Sequence, residues 1–273
     1  MIGFIQGRLS NLVDNKIQCF PWPYWENEFS KAHRLGLCLM EWTLDIDRIS
    51  ENPFMTVHGQ TRIKTLMKEY DVSIPSLTGD FLMQFPFYKS PDKFEQGKIN
   101  YINVIEACGK LNVKYLVFPL VDQGRLENDH QEEVLINFCL DTAEILKKNN
   151  VVVVFESDYG PEKLKIFIEK LPADLYGINY DIGNSASLGF NPTEELNKYA
   201  HRIYNVHVKD RILGGTTVPL GTGNANFNAV FSSLKKYNYS GNYILQTARA
   251  QDGDHEGAID RYRKLVLDLL KEN

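Results

Sequence analysis

The chain has 273 residues, of which 43% are hydrophobic and 24% charged, so it can bury a large core at an ordinary globular charge level. Its net charge of −5 and pI near 5.7 argue against nucleic acid as a partner, because phosphate binding needs clustered Lys and Arg. The first residues do not show the basic segment followed by a long apolar run that is typical of a signal peptide. No segment approaches the roughly 20 consecutive apolar residues needed to span a membrane. The four cysteines are scattered without a CxxC pair, which indicates reduced thiols. We therefore expect a soluble, cytoplasmic protein.

Short apolar runs typical of buried parallel strands alternate along the chain with stretches typical of helices. The predicted strands are Ile2–Ile5, Leu37–Trp42, Val72–Leu77, Tyr115–Pro119, Val151–Glu156, Tyr176–Asp181, Ile203–Val208 and Tyr243–Gln246. Two helix starts are marked by Pro161 and Pro192 at the first helical position, each with an acidic residue in the first turn. The last predicted helix runs from about Glu256 to Leu270 and has one apolar face.

This alternation predicts parallel pairing through right-handed crossovers, and eight repeats predict closure into a barrel. The competing architecture is a doubly wound open sheet. It would need a glycine-rich phosphate turn after the first strand, which the segment from Gly3 to Arg8 does not supply. The chain has no low-complexity segment, long linker or charge run. We therefore predict the α/β class, as a single (β/α)8 TIM barrel over residues 1–273.

The connections after the first two strands are long, and all six residues 20–25 of the first one are aromatic or proline. Such loops are usually lids or binding loops, although these aromatic residues could equally cap the open end of the barrel. Arg8 is predicted either to contact substrate or to hold the first loop through a salt bridge. Glu41, near the end of the second strand, could bind a substrate hydroxyl or orient another ligand. Asp80 and Asp122 follow the third and fourth strands, where structural turn roles and functional roles are both open.

Four polar side chains lie at the carboxyl ends of the last four predicted strands: Glu156, Asp181, His207 and Gln246. The end of a buried parallel strand is where a side chain first reaches the mouth of a barrel. Two carboxylates, an imidazole and an amide oxygen form a nitrogen and oxygen site that suits one divalent cation, such as Mn, Mg, Zn or Co. The sequence thus predicts a metal-dependent enzyme.

Further polar residues follow these strand ends. Asn184 comes after Asp181 and a glycine turn, and Lys209 shares a face of its strand with His207 by period-two alternation. Both are predicted to bind substrate, as is Arg249 in the last loop, a region that often binds phosphate in such barrels. The glycine-rich segment 219–227 has backbone donors that could meet an anion, but such turns often only close a loop.

Four motifs in this order together resemble the sugar phosphate isomerase/epimerase family: Glu156, Asp181-Ile-Gly-Asn184, His207-x-Lys209-Asp210 and Gly221-x-Gly223-x-x-Asn226-Phe227. These are the xylose-isomerase-like TIM barrels that include the ketose 3-epimerases. The resemblance covers the whole chain. It implies one divalent metal on the four strand-end residues and proton transfer next to a sugar carbonyl.

The last of these positions departs from the family, because Gln246 replaces the usual glutamate. Glutamine can coordinate through its oxygen but cannot accept a proton at physiological pH. In such relatives two glutamates serve the two faces of an enediolate, so Glu156 alone remains as the predicted catalytic base. This change disfavours two-base epimerisation more than one-base aldose–ketose isomerisation. Asp158 and Asp210 are the alternative proton carriers.

We therefore expect a metal-dependent isomerase or epimerase of a sugar or sugar phosphate. The alternatives are a keto-polyol dehydratase on the same scaffold and a non-catalytic sugar-binding protein, in which Gln246 marks a degenerate site. An abasic-site endonuclease is disfavoured, because no histidine ends the second or third strand and the chain is acidic. The expected partner is a small carbohydrate, without nucleic acid or membrane, and exposed barrel faces are compatible with a homo-oligomer.

Overall fold

The computed structural model of the protein describes residues 1–272. The strands of this part of the chain are β1 Ile2–Ile5, β2 Leu39–Thr43, β3 Ser76–Thr78, β4 Tyr115–Leu120, β5 Val152–Ser157, β6 Tyr176–Asp181, β7 Ile203–Val208, β8 Asp210–Arg211, β9 Thr217–Val218 and β10 Asn242–Leu245. Its helices are α1 Asn27–Arg34, α2 Val57–Tyr70, α3 Asp80–Gln84, α4 Pro91–Leu111, α5 Asp129–Asp141, α6 Ala143–Asn149, α7 Pro161–Glu169, α8 Ile182–Leu188, α9 Pro192–Tyr199, α10 Phe227–Lys236 and α11 His255–Glu272.

Eight parallel strands close into a barrel in the order β1-β10-β7-β6-β5-β4-β3-β2. The helices follow the strands, as the crossovers of parallel pairing require. The two remaining strands, β8 and β9, form a small antiparallel hairpin after β7. The predicted (β/α)8 barrel is confirmed.

The third strand differs most from its prediction. We predicted Val72–Leu77, whereas β3 covers only Ser76–Thr78. Pro75 has no N–H to donate, so the ladder cannot run through it, and Ser73 makes only an isolated bridge to Leu39. The other predicted barrel strands agree with the structure to within two residues at either end.

Aromatic residues of the first loop belong to the core. Phe20 is 1% exposed, and its ring centroid lies 5.4 Å from that of Trp42 in β2. Trp25 and Phe54 also pack on Trp42, each at 5.7 Å. These rings close the outer side of β2, which favours the capping role over the lid role.

Among the described residues, no helix combines the length and the apolar character needed to cross a membrane.

Candidate metal centre at the barrel mouth

Three neighbouring strands bring Glu156, Asp181 and His207 together. Glu156 lies near the end of β5, Asp181 ends β6, and Asp181 is paired in register with His207 of β7. One ligand atom from each of the three residues lies within 4.8 Å of the other two. His207 Nδ1 is 3.1 Å from Glu156 Oε2 and 3.9 Å from Asp181 Oδ2. All three side chains are buried, so they form a compact group of two carboxylates and one imidazole.

Glu41 fixes the orientation of the His207 ring. His207 Nε2 donates to Glu41 Oε1 at 2.8 Å, and both side chains are fully buried. Since a carboxylate only accepts, Nε2 carries a proton and Nδ1 is the nitrogen directed at Glu156 and Asp181. Ser76 and Asn205 donate to the other oxygen of Glu41, at 2.7 and 3.0 Å. A carboxylate behind the imidazole is the usual arrangement behind a metal-binding histidine.

The carboxylates around His207 control its protonation. Burial by itself lowers the pKa of His207, but the charges and hydrogen bonds of Glu41 and Glu156 raise it to about 10. The ring is therefore cationic at neutral pH as long as no metal ion binds at Nδ1. A metal ion held by Nδ1 would have to displace that proton.

Lys209 and Gln246 extend the group on its open side. Lys209 Nζ donates to Asp181 Oδ2 at 3.1 Å and to Gln246 Oε1 at 3.1 Å. The amide nitrogen of Gln246 donates to Gln18 Oε1 at 2.9 Å, which directs Oε1 of Gln246 toward the group. The predicted fourth residue thus meets Asp181 through the Lys209 ammonium.

Asn184 connects the carboxylates of the group with the neighbouring cationic side chains. The side chain of Asp181 accepts from the Asn184 backbone N–H at 2.8 Å, which caps α8 and places Asn184 at the mouth. Asn184 Nδ2 then donates to Glu156 Oε1 at 2.6 Å. Its oxygen accepts from Lys209 at 3.2 Å and from Arg211 at 2.8 Å.

Two asparagines below the group were not singled out from the sequence. Asn179 Nδ2 lies 2.8 Å from Glu156 Oε2 and 3.1 Å from His207 Nδ1, and Asn205 Nδ2 donates to Asn179 Oδ1 at 2.9 Å. Each stands two residues before a strand-end ligand, so period-two alternation places it on the same face of the strand. That spacing was the signal that could have identified them.

The arginines predicted to bind substrate are bonded to the protein itself. Arg8 is buried, and its guanidinium donates to the carbonyl oxygens of Thr247 at 2.8 Å and Ile17 at 2.7 Å. Arg249 donates to the carbonyl oxygens of Gly7 and Ser10. Burial and the proximity of Arg249 lower the pKa of Arg8 to about 9. The hydrogen bonds of these two arginines attach the first loop to the barrel. They do so in place of the salt bridge that we considered for Arg8.

Backbone groups of the glycine-rich turn also have an internal partner. Asp210 is fully buried, and its carboxylate accepts from the backbone N–H groups of Gly221 at 2.9 Å, Gly223 at 2.9 Å and Ala225 at 3.0 Å. These donors therefore close the turn around a carboxylate of the same chain. Asp158, the other alternative proton carrier, makes an ion pair with Arg125 at 2.7 Å.

A cavity of about 650 Å³ opens in front of the group. Its walls include Asp80, Glu156, Asn184, Lys209, Arg211 and Gln246, together with Gln18 from the first loop. Of the residues predicted to bind substrate, Asn184 and Lys209 line this cavity, whereas Arg8, Glu41 and Arg249 do not. The role of Asn184 and Lys209 in substrate binding stays a prediction. The volume suits a small polar molecule in contact with Glu156.

The fold and the site together define a class of protein. It consists of eight-stranded α/β barrels with carboxylates and an imidazole at the carboxyl ends of their strands. A model of the xylose isomerase-like TIM barrel family matches residues 29–266, so the chain belongs to that family. The predicted resemblance, and the prediction of an enzyme of this family, are confirmed.

Named relatives support the same placement. The chain is 23% identical to a putative L-ribulose-5-phosphate 3-epimerase SgbU of Haemophilus influenzae, over 91% of this chain and 92% of that protein. It is also 23% identical to an inosose dehydratase of Clostridium botulinum, over 78% of this chain and 89% of that protein. A crystal structure of the IolI protein with a bound zinc atom superposes with a TM-score of 0.77 at 17% identity, covering 99% of this chain and 98% of that one.

Proposed function

We propose that the protein is a metal-dependent isomerase or epimerase of a sugar or sugar phosphate, acting by proton transfer next to a carbonyl within a single barrel domain. The observation that carries this proposal is the convergence of Glu156, Asp181 and His207, with ligand atoms within 4.8 Å of one another, beside a cavity whose wall includes Glu156. The epimerase named among the relatives and the zinc-bound structural neighbour support it.

The donor set fits one divalent cation. Glu156, Asp181 and His207 Nδ1 would hold it, and Gln246 Oε1 would be a neutral further ligand if it exchanged its hydrogen bond from Lys209 for the cation. When bound, the cation polarises the substrate carbonyl and stabilises the negative charge of an enediolate. The two carboxylates supply enough negative charge for a divalent ion of this kind.

Glu156 is the residue that we assign to proton abstraction. It lies in the cavity wall, and Asn179 and Asn184 each donate to one of its oxygens, at 2.8 and 2.6 Å. These two bonds hold the carboxylate plane in one orientation toward the cavity, as a positioned base requires. Lys209 and Asn184 would bind substrate hydroxyl or phosphate oxygens, because both carry donors at the cavity surface.

A keto-polyol dehydratase is the second candidate, and the similarity to an inosose dehydratase over 78% of the chain favours keeping it. Both reactions begin with removal of the proton next to the carbonyl. They differ in the next step, because a dehydratase expels hydroxide from the neighbouring carbon. The product mass separates them.

The test is incubation of the purified protein with ketopentoses, ketohexoses, their phosphates and keto-inositols in deuterated water. Protein loaded with Mn, Zn, Co or Mg is compared with chelator-treated protein. We expect deuterium to enter one carbon next to the carbonyl, only with metal present, and no mass loss corresponding to water. Loss of water would select the dehydratase. A protein that binds no stoichiometric divalent ion and exchanges no deuterium would instead be the non-catalytic sugar-binding protein.

A further inference from the structure

We infer that Asp80 is a second acid/base group of this site, placed in the same cavity as Glu156 and replacing the carboxylate that is absent at position 246. This inference rests on the proposed function and makes it more specific, since a second proton carrier favours epimerisation over one-base isomerisation.

The position of Asp80 suits a reaction partner of Glu156. Asp80 begins α3 directly after β3, and both residues line the cavity. Strands β3 and β5 are separated in the barrel by β4 alone. Two strand spacings correspond to roughly 10 Å between backbones, which leaves room for a sugar carbon between the two carboxyl groups.

The partners of Asp80 are neutral. Its side chain is 6% exposed, and Oδ2 accepts from Gln18 Nε2 at 2.7 Å while Oδ1 accepts from Thr78 Oγ1 at 3.3 Å. Among the described residues Asp80 has no ion-pair partner, whereas the buried carboxylate of Asp181 faces Lys209 at 3.1 Å. The Arg8 guanidinium attracts the charge of Asp80 but contacts it only through Gln18, to whose Oε1 it donates at 3.3 Å. A buried carboxyl with no cation in direct contact is stabilised in its protonated form.

Its protonation agrees with this geometry. Burial, followed by the nearby charge of Asp45, raises the pKa of Asp80 to about 7, and Glu156 contributes in the same direction. A group that titrates near neutral pH exists in both forms and can both donate and accept a proton.

One side chain connects Asp80 to the substituted position. Gln18 accepts from Gln246 Nε2 at 2.9 Å and donates to Asp80 at 2.7 Å. The carboxyl group of Asp80 is therefore connected through a single side chain, Gln18, to Gln246, the residue at the position where the family usually has glutamate. In the step that we infer, Glu156 takes the proton from the carbon next to the carbonyl, and protonated Asp80 gives its own proton to the other face of that carbon. Exchange with water in the open cavity then returns each group to its starting state.

The experiment compares Asp80→Asn with wild type in deuterated water on the ketose that wild type converts. Two quantities are measured, namely deuterium incorporation next to the carbonyl and formation of the inverted sugar. We expect Asp80→Asn to lose inversion by about 100-fold or more while deuterium incorporation with retention persists, because Glu156 still removes and returns a proton on its own face. Equal loss of both, unchanged inversion, or an aldose as the wild-type product would each overturn the inference.

Asp122→Asn is the matched control. Asp122 also lies in the cavity wall, but it is exposed, and its backbone φ of 49° is one that asparagine tolerates. We expect this variant to keep the wild-type ratio of inversion to exchange. A fall in that ratio equal to that of Asp80→Asn would contradict a specific role for Asp80.

A second measurement does not need turnover. Difference infrared spectra between wild type and Asp80→Asn report the carboxyl band of Asp80. We expect a protonated band at pH about 6 that converts to carboxylate toward pH about 8, whereas a carboxylate already at pH about 6 would overturn the inference. Absence of deuterium exchange with every sugar would refute the proposed function, and the infrared titration would still decide whether Asp80 can donate a proton.

Discussion

The two halves of the barrel mouth use their polar residues differently. On the side of β5, β6 and β7, the ionisable groups of Glu156, Asp181 and His207 face one another, and Glu156 lines the cavity. On the side of β10 and β1, the guanidinium groups of Arg8 and Arg249 donate to backbone carbonyl oxygens. Charge at a strand end is thus not sufficient to place a side chain on the cavity wall. What distinguishes the first half is that its charged groups remain directed at a shared space.

The largest effect should come from the first half. Glu156→Gln keeps the shape of the side chain but removes the proton acceptor, and its amide nitrogen can no longer accept from one of the two asparagines, so we expect deuterium exchange to fall by about 10²–10⁴-fold. Turnover and metal content are measured separately on the same protein. Asp158→Asn is the control, since Asp158 pairs with Arg125 at 2.7 Å. Unchanged exchange in Glu156→Gln together with a loss in Asp158→Asn would transfer the role to Asp158.

The second half should respond in stability. Arg8→Met keeps the apolar stem and removes the bonds to Thr247 and Ile17, so we expect the free energy of unfolding to fall by about 1.5–3 kcal/mol, measured by denaturant titration. The exposed Arg261→Met, whose partner Asp254 is 3.5 Å away, should change it by less than about 1 kcal/mol. A higher KM with unchanged stability would show instead that Arg8 contacts substrate.

A substitution at Glu41 tests whether the hydrogen bond that orients His207 contributes to metal binding. Glu41→Gln weakens the bond that fixes the His207 ring, and we expect metal affinity to fall by about 10–100-fold. Competition with a chromophoric chelator measures this. Ser76→Ala removes a different hydrogen bond to Glu41, at 2.7 Å, and should leave the affinity nearly unchanged. Equal affinities in Glu41→Gln and wild type would exclude His207 as an oriented ligand.

The smallest effect is expected where the two halves meet. Gln246→Glu adds a negative charge, but Lys209 Nζ lies 3.1 Å from Oε1 and neutralises much of it. We therefore expect metal affinity to rise by only about threefold to tenfold. In a Lys209→Met background the same substitution should give a larger gain. An equal gain in both backgrounds would mean that Lys209 does not balance this position.

Sequence reasoning predicted the barrel and the residues of the candidate metal group because both depend on short-range patterns. Glu156, Asp181 and His207 are polar residues at or near the ends of apolar runs, so each one marks the end of a strand in the sequence itself. Parallel pairing then brings these strand ends together. The exception in the fold was equally local, since Pro75 shortens β3.

The partners across the barrel could not be predicted in this way. Glu41 meets His207, and Gln18 meets both Asp80 and Gln246, through contacts between segments far apart in the chain. No periodicity in one segment encodes which side chain of another segment it will face. For the same reason Asp210 could be considered as a proton carrier, although its carboxylate closes the glycine-rich turn.

The backbone of α8 runs close to Lys209. A β-carbon at Gly183 would come within 2.7 Å of Lys209 Cγ and 3.0 Å of its backbone carbonyl carbon. The lysine stem therefore occupies the volume that any larger residue at position 183 would need. In an alignment of homologous sequences, glycine should therefore persist at position 183 even where the lysine is replaced, because the Cβ and the backbone carbonyl carbon of position 209 both lie 3.0 Å from that β-carbon.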